Sequence, residues 1–200
     1  MSKTLRFIIL FFTSLIIVSG SCTGNRKKLS VADRDSIYSA AHIQDLSIVH
    51  PREALALLDT AEAEKLMTPF DISRLRCLAY HNGLASYRLA LVHGLKAYNM
   101  PDACNDLGLF LNLVELIADE YHNNGDYTES VRYCTEGLEI SGHIGDKASE
   151  ANFHVTFGLN LLEMRRLDEA FRHFHLAVDI LEKEAEGSLS YVSWETISML

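Results

Sequence analysis

Pro51-Arg-Glu-Ala54-Leu-Ala-Leu-Leu58-Asp-Thr-Ala61 is the first of four related phrases in this 200-residue chain. The second is Tyr87-Arg-Leu-Ala90-Leu-Val-His-Gly94-Leu-Lys-Ala97. The third is Tyr127-Thr-Glu-Ser130-Val-Arg-Tyr-Cys134-Thr-Glu-Gly137, and the fourth Leu167-Asp-Glu-Ala170-Phe-Arg-His-Phe174-His-Leu-Ala177. Each holds a small residue, a packing position four later, and another small residue three after that. The copies begin 36, 40 and 40 residues apart. A period in this range predicts an array of helical repeats, in which each unit buries its apolar face against its neighbours.

Each phrase reads as the second helix of a pair. In the third unit the first helix spans Leu107 to Asn123, with Leu111, Val114, Ile117, Ala118 and Tyr121 on one helical stripe. Asn123-Asn124-Gly125-Asp126 breaks it. Gly and Asn accept the left-handed conformation that ends a helix, and Asp126 is placed to cap the next. The second helix then runs from Tyr127 to Ile140 and closes at Ser141-Gly142. Forty residues on, Phe157, Gly158 and Leu161 take the places of Ile117, Ala118 and Tyr121. The small residue of the first helix, Ala118 or Gly158, precedes that of the second, Ser130 or Ala170, by 12 positions. Small side chains are needed there because two helix backbones approach closely.

On these residues the chain resembles the tetratricopeptide repeat family, over about residues 31 to 200. The resemblance implies an all-α fold, a right-handed solenoid of antiparallel helix pairs. Its units fall at about 31–66, 72–105, 111–144 and 151–184. The first helix of the first unit, Val31 to Ser47, is degenerate, as suits a terminal cap. The second unit is one residue shorter inside. A partial fifth unit, 191–200, places Trp194 at the aromatic position and Ser198 at the small one. Either the protein continues past Leu200 or Tyr191 to Leu200 is a lone capping helix; continuation is the favoured expectation.

The amino terminus reads as an export signal. Lys3 and Arg6 precede an apolar run from Phe7 to Val18, followed by Ser19-Gly20-Ser21-Cys22. Small residues directly before a cysteine resemble the bacterial lipoprotein box, so residues 1–22 are expected to be a lipoprotein-type signal with Cys22 as the acylated residue. Ser19 stands where that box has leucine. An ordinary signal peptide or an uncleaved anchor is the alternative. Residues 23–30 form a linker carrying Arg26, Lys27 and Lys28. The expected location is the cell envelope, on the periplasmic or surface side, tethered to the membrane through lipid or anchor.

The formal charge is −9, and without the first 21 residues it is −11. That balance argues against direct nucleic-acid binding, which needs clustered Lys and Arg. A 48% hydrophobic composition with three prolines suits an ordered, packed chain. Cys77 and Cys134 read as small buried thiols. Cys104 lies in a loop-like stretch, where it either pairs or stays free. No Cys-x-x-Cys, His-Glu-x-x-His, P-loop or nucleophile-elbow motif occurs. His173 and His175 are two apart and diverge by about 200° on a helix, and His81 and His93 have no carboxylate at ligand spacing. The acidic residues read mostly as solvated faces. No cofactor, metal site or catalytic residue is expected, and the chain does not read as an enzyme.

Binding is the better-motivated role. In the family that the chain resembles, the first helices line a concave groove. By that resemblance the groove positions are Asn112, Glu115, Asp119 and His122 in the third unit, and Asn152, Val155 and Leu159 in the fourth. Those of the second include Arg76 and Tyr80. Asn112 and Asn152 could hydrogen-bond an extended peptide backbone; equally, these positions are polar and face solvent. Acidic Glu115 and Asp119 disfavour a carboxylate ligand. Two functions follow as expectations: an exported, membrane-tethered scaffold that binds protein or peptide, or the sensory amino-terminal part of a longer regulator or histidine kinase. The second draws on a likeness to the tetratricopeptide proteins of Bacteroides-type bacteria.

Overall fold

The computed structural model describes residues 31–184. The expected signal segment with Cys22, the linker at 23–30 and the expected fifth unit at 191–200 lie outside the described residues. The chain divides into two compact units between Ser36 and Ile37. The described part of the first is nearly all of one short helix, α1 (Val31–Ile37). The second holds α2 (Ala40–Val49), α3 (Pro51–Glu64), α4 (Pro69–Leu84), α5 (Tyr87–Tyr98), a 3-10 turn (Ala103–Asn105), α6 (Leu107–Asn123), α7 (Tyr127–Ile144), α8 (Lys147–Glu163) and α9 (Leu167–Glu184). The described residues are all-helical, with no strand.

The helix ends follow local chemistry. Ser39, Thr68, Asp106 and Asp146 each accept a backbone N–H three residues on, from His42, Asp71, Leu109 and Ser149. Pro51 and Pro69 occupy first-turn positions, where a missing N–H costs nothing. Gly125 and Gly145 sit at φ 81° and 75°, in the left-handed region that a Cβ disfavours.

Three boundaries depart from the sequence expectation. The degenerate helix from Val31 to Ser47 is broken at Tyr38–Ser39, where Ser39 caps a new helix. Asp126 stands before α7 but makes no side-chain capping bond. And α7 does not close at Ser141-Gly142. It runs to Ile144 and ends at Gly145, because a glycine inside a helix costs only about 1 kcal/mol against alanine, and Gly145 is the residue held at positive φ.

The four phrases form the buried stripes of α3, α5, α7 and α9. All their key positions are buried: Ala54, Leu58 and Ala61; Ala90, Gly94 and Ala97; Ser130, Cys134 and Gly137; Ala170, Phe174 and Ala177. The reason for small residues is visible at Gly137, where a Cβ would collide with the Phe153 ring, and at Gly158, where it would lie 2.6 Å from Phe174 Cε1. Ser130 Oγ donates to the Ala118 carbonyl at 2.7 Å, so the two small positions read 12 apart in sequence meet directly.

Consecutive helices pack as adjacent pairs: α2 with α3, α4 with α5, α6 with α7, and α8 with α9. Each second helix also packs on the next first helix. The first helices α2, α4, α6 and α8 touch one another in series. The largest core cluster lies around α6, with Leu111, Leu113, Val114, Ile117, Tyr133 and Phe153 among its buried members. Cys77 and Cys134 are buried free thiols, and Cys104 is exposed.

Candidate functional site

The series of first helices leaves a cavity of about 360 Å³ between α2, α4 and α6. One wall is α6, which contributes Asn112, Glu115, Leu116 and Asp119, residues three to four apart and therefore on one face. The facing wall is α4, with Arg74, Leu78, His81 and Asn82 at the same kind of spacing. Gln44 of α2 closes one end.

Glu115 and Asp119 are half-buried carboxyls one turn apart. Burial and the neighbouring Asp119 charge push the Glu115 carboxyl up to about 7, although a hydrogen bond from Asn152 of α8 works the other way. Burial also raises Asp119, opposed by the charge of His81 and by a hydrogen bond from Thr156 Oγ1 at 3.2 Å. Among the described residues neither carboxyl has a Lys or Arg partner.

Arg74 is buried at 4% exposure. Its Nη1 donates to Gln44 Oε1 at 3.1 Å, and Asp71 lies 3.9 Å from its Nη2. Burial lowers the guanidinium from its ordinary value, against the pull of Asp71. Its Nε is buried within the packing with no hydrogen-bond partner, an unsatisfied donor of the kind that is rare in folded proteins.

From this wall half-buried His81 reaches a fully buried carboxyl. His81 Nδ1 lies 2.6 Å from Glu120 Oε1, and Glu120 has no exposed surface. The hydrogen bond to Glu120 raises the His81 value against the opposing effect of burial. The expectation that acidic residues occupy solvated faces is therefore corrected at Glu120. It neighbours Asp119 in sequence but is turned about 100° from it on the helix, toward the core.

Of the positions expected to line a groove, the fold brings together Asn112, Glu115 and Asp119, with Asn152 bonded to Glu115. The others stand elsewhere. Arg76 reaches the second-helix layer, at 2.7 Å from Asp59 and 2.6 Å from Glu62 of α3. Tyr80 stacks on His93 of α5 at 5.5 Å between centroids. Arg74 and Arg76 are two residues apart, so they point to nearly opposite sides of α4, and it is Arg74 that faces the cavity. Val155 and Leu159 pack against clusters shared with α9. His122 Nδ1 meets Asn160 Oδ1 at 2.9 Å, and Asn160 Nδ2 donates in turn to Ser130 Oγ at 2.7 Å. That chain ends on the Ala118 carbonyl and ties α6, α7 and α8 together.

Sequence reading missed Arg74, His81, Asn82, Gln44, Glu120 and Asn160. A stripe at 74, 78, 81 and 82 was available as a signal for α4. The burial of Glu120 and Asn160 had none, because their partners lie 39 and 30 residues away. The same holds for His173, whose Nδ1 lies 3.0 Å from that of His154 while its ring stacks on Phe157. Burial, with the nearby His154 charge, takes His173 down to about 4. His175 is exposed. Among the described residues no three His, Cys, Asp or Glu side chains are arranged to hold a metal ion, and no helix is long and apolar enough to cross a membrane. No protein-family model and no curated protein sequence matches this chain.

Proposed function

We propose that the chain is a tetratricopeptide-type scaffold, exported and tethered to the membrane at its amino terminus, that binds a protein or peptide partner along its first helices. In this reading the helix pairs form a right-handed solenoid and α2, α4, α6 and α8 line its inner face. The observation that carries it is the packing series. First helices follow one another in contact, each second helix wedges onto the next first helix, and the cavity opens between first helices with polar groups on both walls. A row of amides and half-buried carboxyls on rigid helices suits an extended backbone, whose own donors and acceptors need partners.

The test is peptide display against the full chain and against Glu115→Lys/Asp119→Lys. The wild type should enrich a peptide family that the double variant does not hold, with helicity unchanged. Equal enrichment by both would remove the groove from the proposal. The tether is tested apart from it: fatty-acid labelling should vanish in Cys22→Ala, and persistent labelling would refute acylation at that cysteine.

A further inference from the structure

Helix α9 carries an apolar strip that its counterparts in the earlier pairs keep covered. Leu167 and Phe171 are 49% and 50% exposed, and Val178 is half-buried. Their spacing puts all three within about 40° of one another around the helix, beside buried Phe174 and Leu181. Forty residues earlier stand Tyr127, Val131 and Leu138 of α7, all half-buried.

In the earlier pairs this side of the second helix meets the next first helix. Pro51, which opens the first phrase as Leu167 opens the fourth, lies against Gly83 of α4, where a Cβ would collide with its ring. Glu62, eight residues after the first small position of its phrase as Val178 is of the fourth, pairs with Arg76 of α4 at 2.6 Å. Tyr98 holds the same place in the second phrase and stacks on Phe110 of α6 at 5.4 Å between centroids. Gly137 of α7 lies against Phe153 of α8. After α9 no helix follows among the described residues.

The chain supplies a matching stripe. Helix α6 buries Leu111, Val114, Ile117 and Ala118 completely. Eighty residues on stand Tyr191, Trp194, Ile197 and Ser198, three large apolar residues and a small one at the same helical spacing. Ile117 Cγ1 lies 3.0 Å from the Cβ position of Gly94 on the preceding second helix, α5, which gives its counterpart Ile197 a place against Phe174. Gly145 ends α7 and Asp146 caps α8. Gly187-Ser188 offers the same residue types after α9. Residues 189–200 then suffice for about three helical turns. A second copy is the poorer occupant, because three side chains fall well short of the ~800 Å² per partner of a stable interface.

We propose that the strip Leu167, Phe171 and Val178 on α9 is the docking surface for residues 189–200 of this same chain, which cap the array as a fifth first helix with Trp194 and Ile197 turned onto the preceding pair. Burial of these large apolar side chains drives the docking. The inference concerns how the array is closed and holds whether or not the groove binds a peptide.

Trp194 is the only tryptophan of the chain, so its fluorescence reports on this contact alone. The full chain is studied in detergent micelles by acrylamide quenching. Quenching should be several-fold weaker than for N-acetyltryptophanamide in the same micelles, and Leu167→Lys/Phe171→Lys should raise it toward that of the free compound. Far-ultraviolet circular dichroism reports whether the variant keeps the helix array. Should it not, the wild type decides by nuclear Overhauser effects from the Trp194 indole or the Ile197 methyls to Phe171, Phe174 or Val178.

Ready quenching of the wild type, quenching unchanged in a folded double variant, or absence of those Overhauser effects would overturn the inference. So would shielding that disappears on dilution as a dimer dissociates in sedimentation, which assigns the strip to a second copy. Quenching of Trp194 by a brominated detergent would overturn it too, by assigning the indole to the micelle.

Discussion

His81 Nδ1 of α4 lies 2.6 Å from Oε1 of Glu120 on α6, a carboxylate with no exposed surface whose second oxygen has no hydrogen-bond partner. This contact pins two consecutive first helices together at the cavity wall. Removing one member leaves the other buried and uncompensated, and the cost follows from that rather than from the bond itself.

We expect His81→Leu to destabilise the protein by about 3 kcal/mol, and His81→Leu/Glu120→Leu to recover most of that loss. Urea denaturation of His81→Leu, Glu120→Leu and the double variant at pH 6 measures the coupling. Because the folded protein raises the His81 value, the protonated pair contributes fully below the ordinary histidine value of 6.5. Its contribution is lost as pH rises through the higher folded value. The penalty in His81→Leu should therefore shrink at alkaline pH.

Glu115 produces a second pH effect of the same sign. Its carboxyl is raised from 4.5 to about 7, so between those values the folded protein holds the proton that the unfolded chain has released. Stability falls as pH rises through that window and levels off above it. Glu115→Gln should be more stable than wild type by about 1–2 kcal/mol at pH 8, with the difference vanishing near pH 4. Thermal melts across that range check it.

The histidines near α9 act the other way. His173 is lowered to about 4 and His154 is also lowered, so burial keeps them neutral in the fold. Their contribution is present above 6.5 and is lost as pH falls toward 4. His173→Gln should blunt acid destabilisation between pH 6.5 and 4.5, measured as a smaller drop in Tm than in wild type.

Three glycines separate packing from propensity. A Cβ at Gly158 would lie 2.6 Å from the Phe174 ring, and one at Gly137 would collide with Phe153. Gly158→Ala and Gly137→Ala should each cost about 1–3 kcal/mol. Gly142 has nothing within 4 Å of its Cβ position and sits inside α7. Gly142→Ala should stabilise by about 0.5–1 kcal/mol. Denaturant midpoints of the three variants distinguish the two effects by sign.

Ser130 joins the Ala118 carbonyl to Asn160, which in turn meets His122. Ser130→Ala keeps a small side chain but orphans a fully buried Asn160 amide donor, although that group also donates to the Thr156 carbonyl. A loss of about 1–2 kcal/mol is expected. Ser130→Ala/Asn160→Leu should recover none of it if the close approach of α7 and α8 leaves no room for the branched side chain. Calorimetry of both variants reports the outcome.

The repeated phrase made the packing stripes of α3, α5, α7 and α9 legible in the sequence. Small residues seven apart, with a packing position four after the first, imply a close helix contact whatever the partner is. The cavity was half legible. Asn112, Glu115 and Asp119 follow from one helical face, whereas Arg76 and Tyr80 lie on the far side of α4 from Arg74. A register difference of two residues reverses the face of a helix, and the shorter second unit made that register ambiguous by counting alone.

What the sequence by itself determined is local: helix formation, the turns that punctuate it and the small positions where helices touch. Those depend on residues within one or two turns of each other, so spacing expresses them. Only the tertiary structure decided which charges are solvated and which are buried. Asp119 and Glu120 are adjacent in the chain, yet one lines the cavity and the other pairs with a histidine 39 residues away. Burial is set by the rotation of one helix against the next, and that rotation comes from packed side chains distant in sequence, such as Phe153 against Gly137 and Phe174 against Gly158.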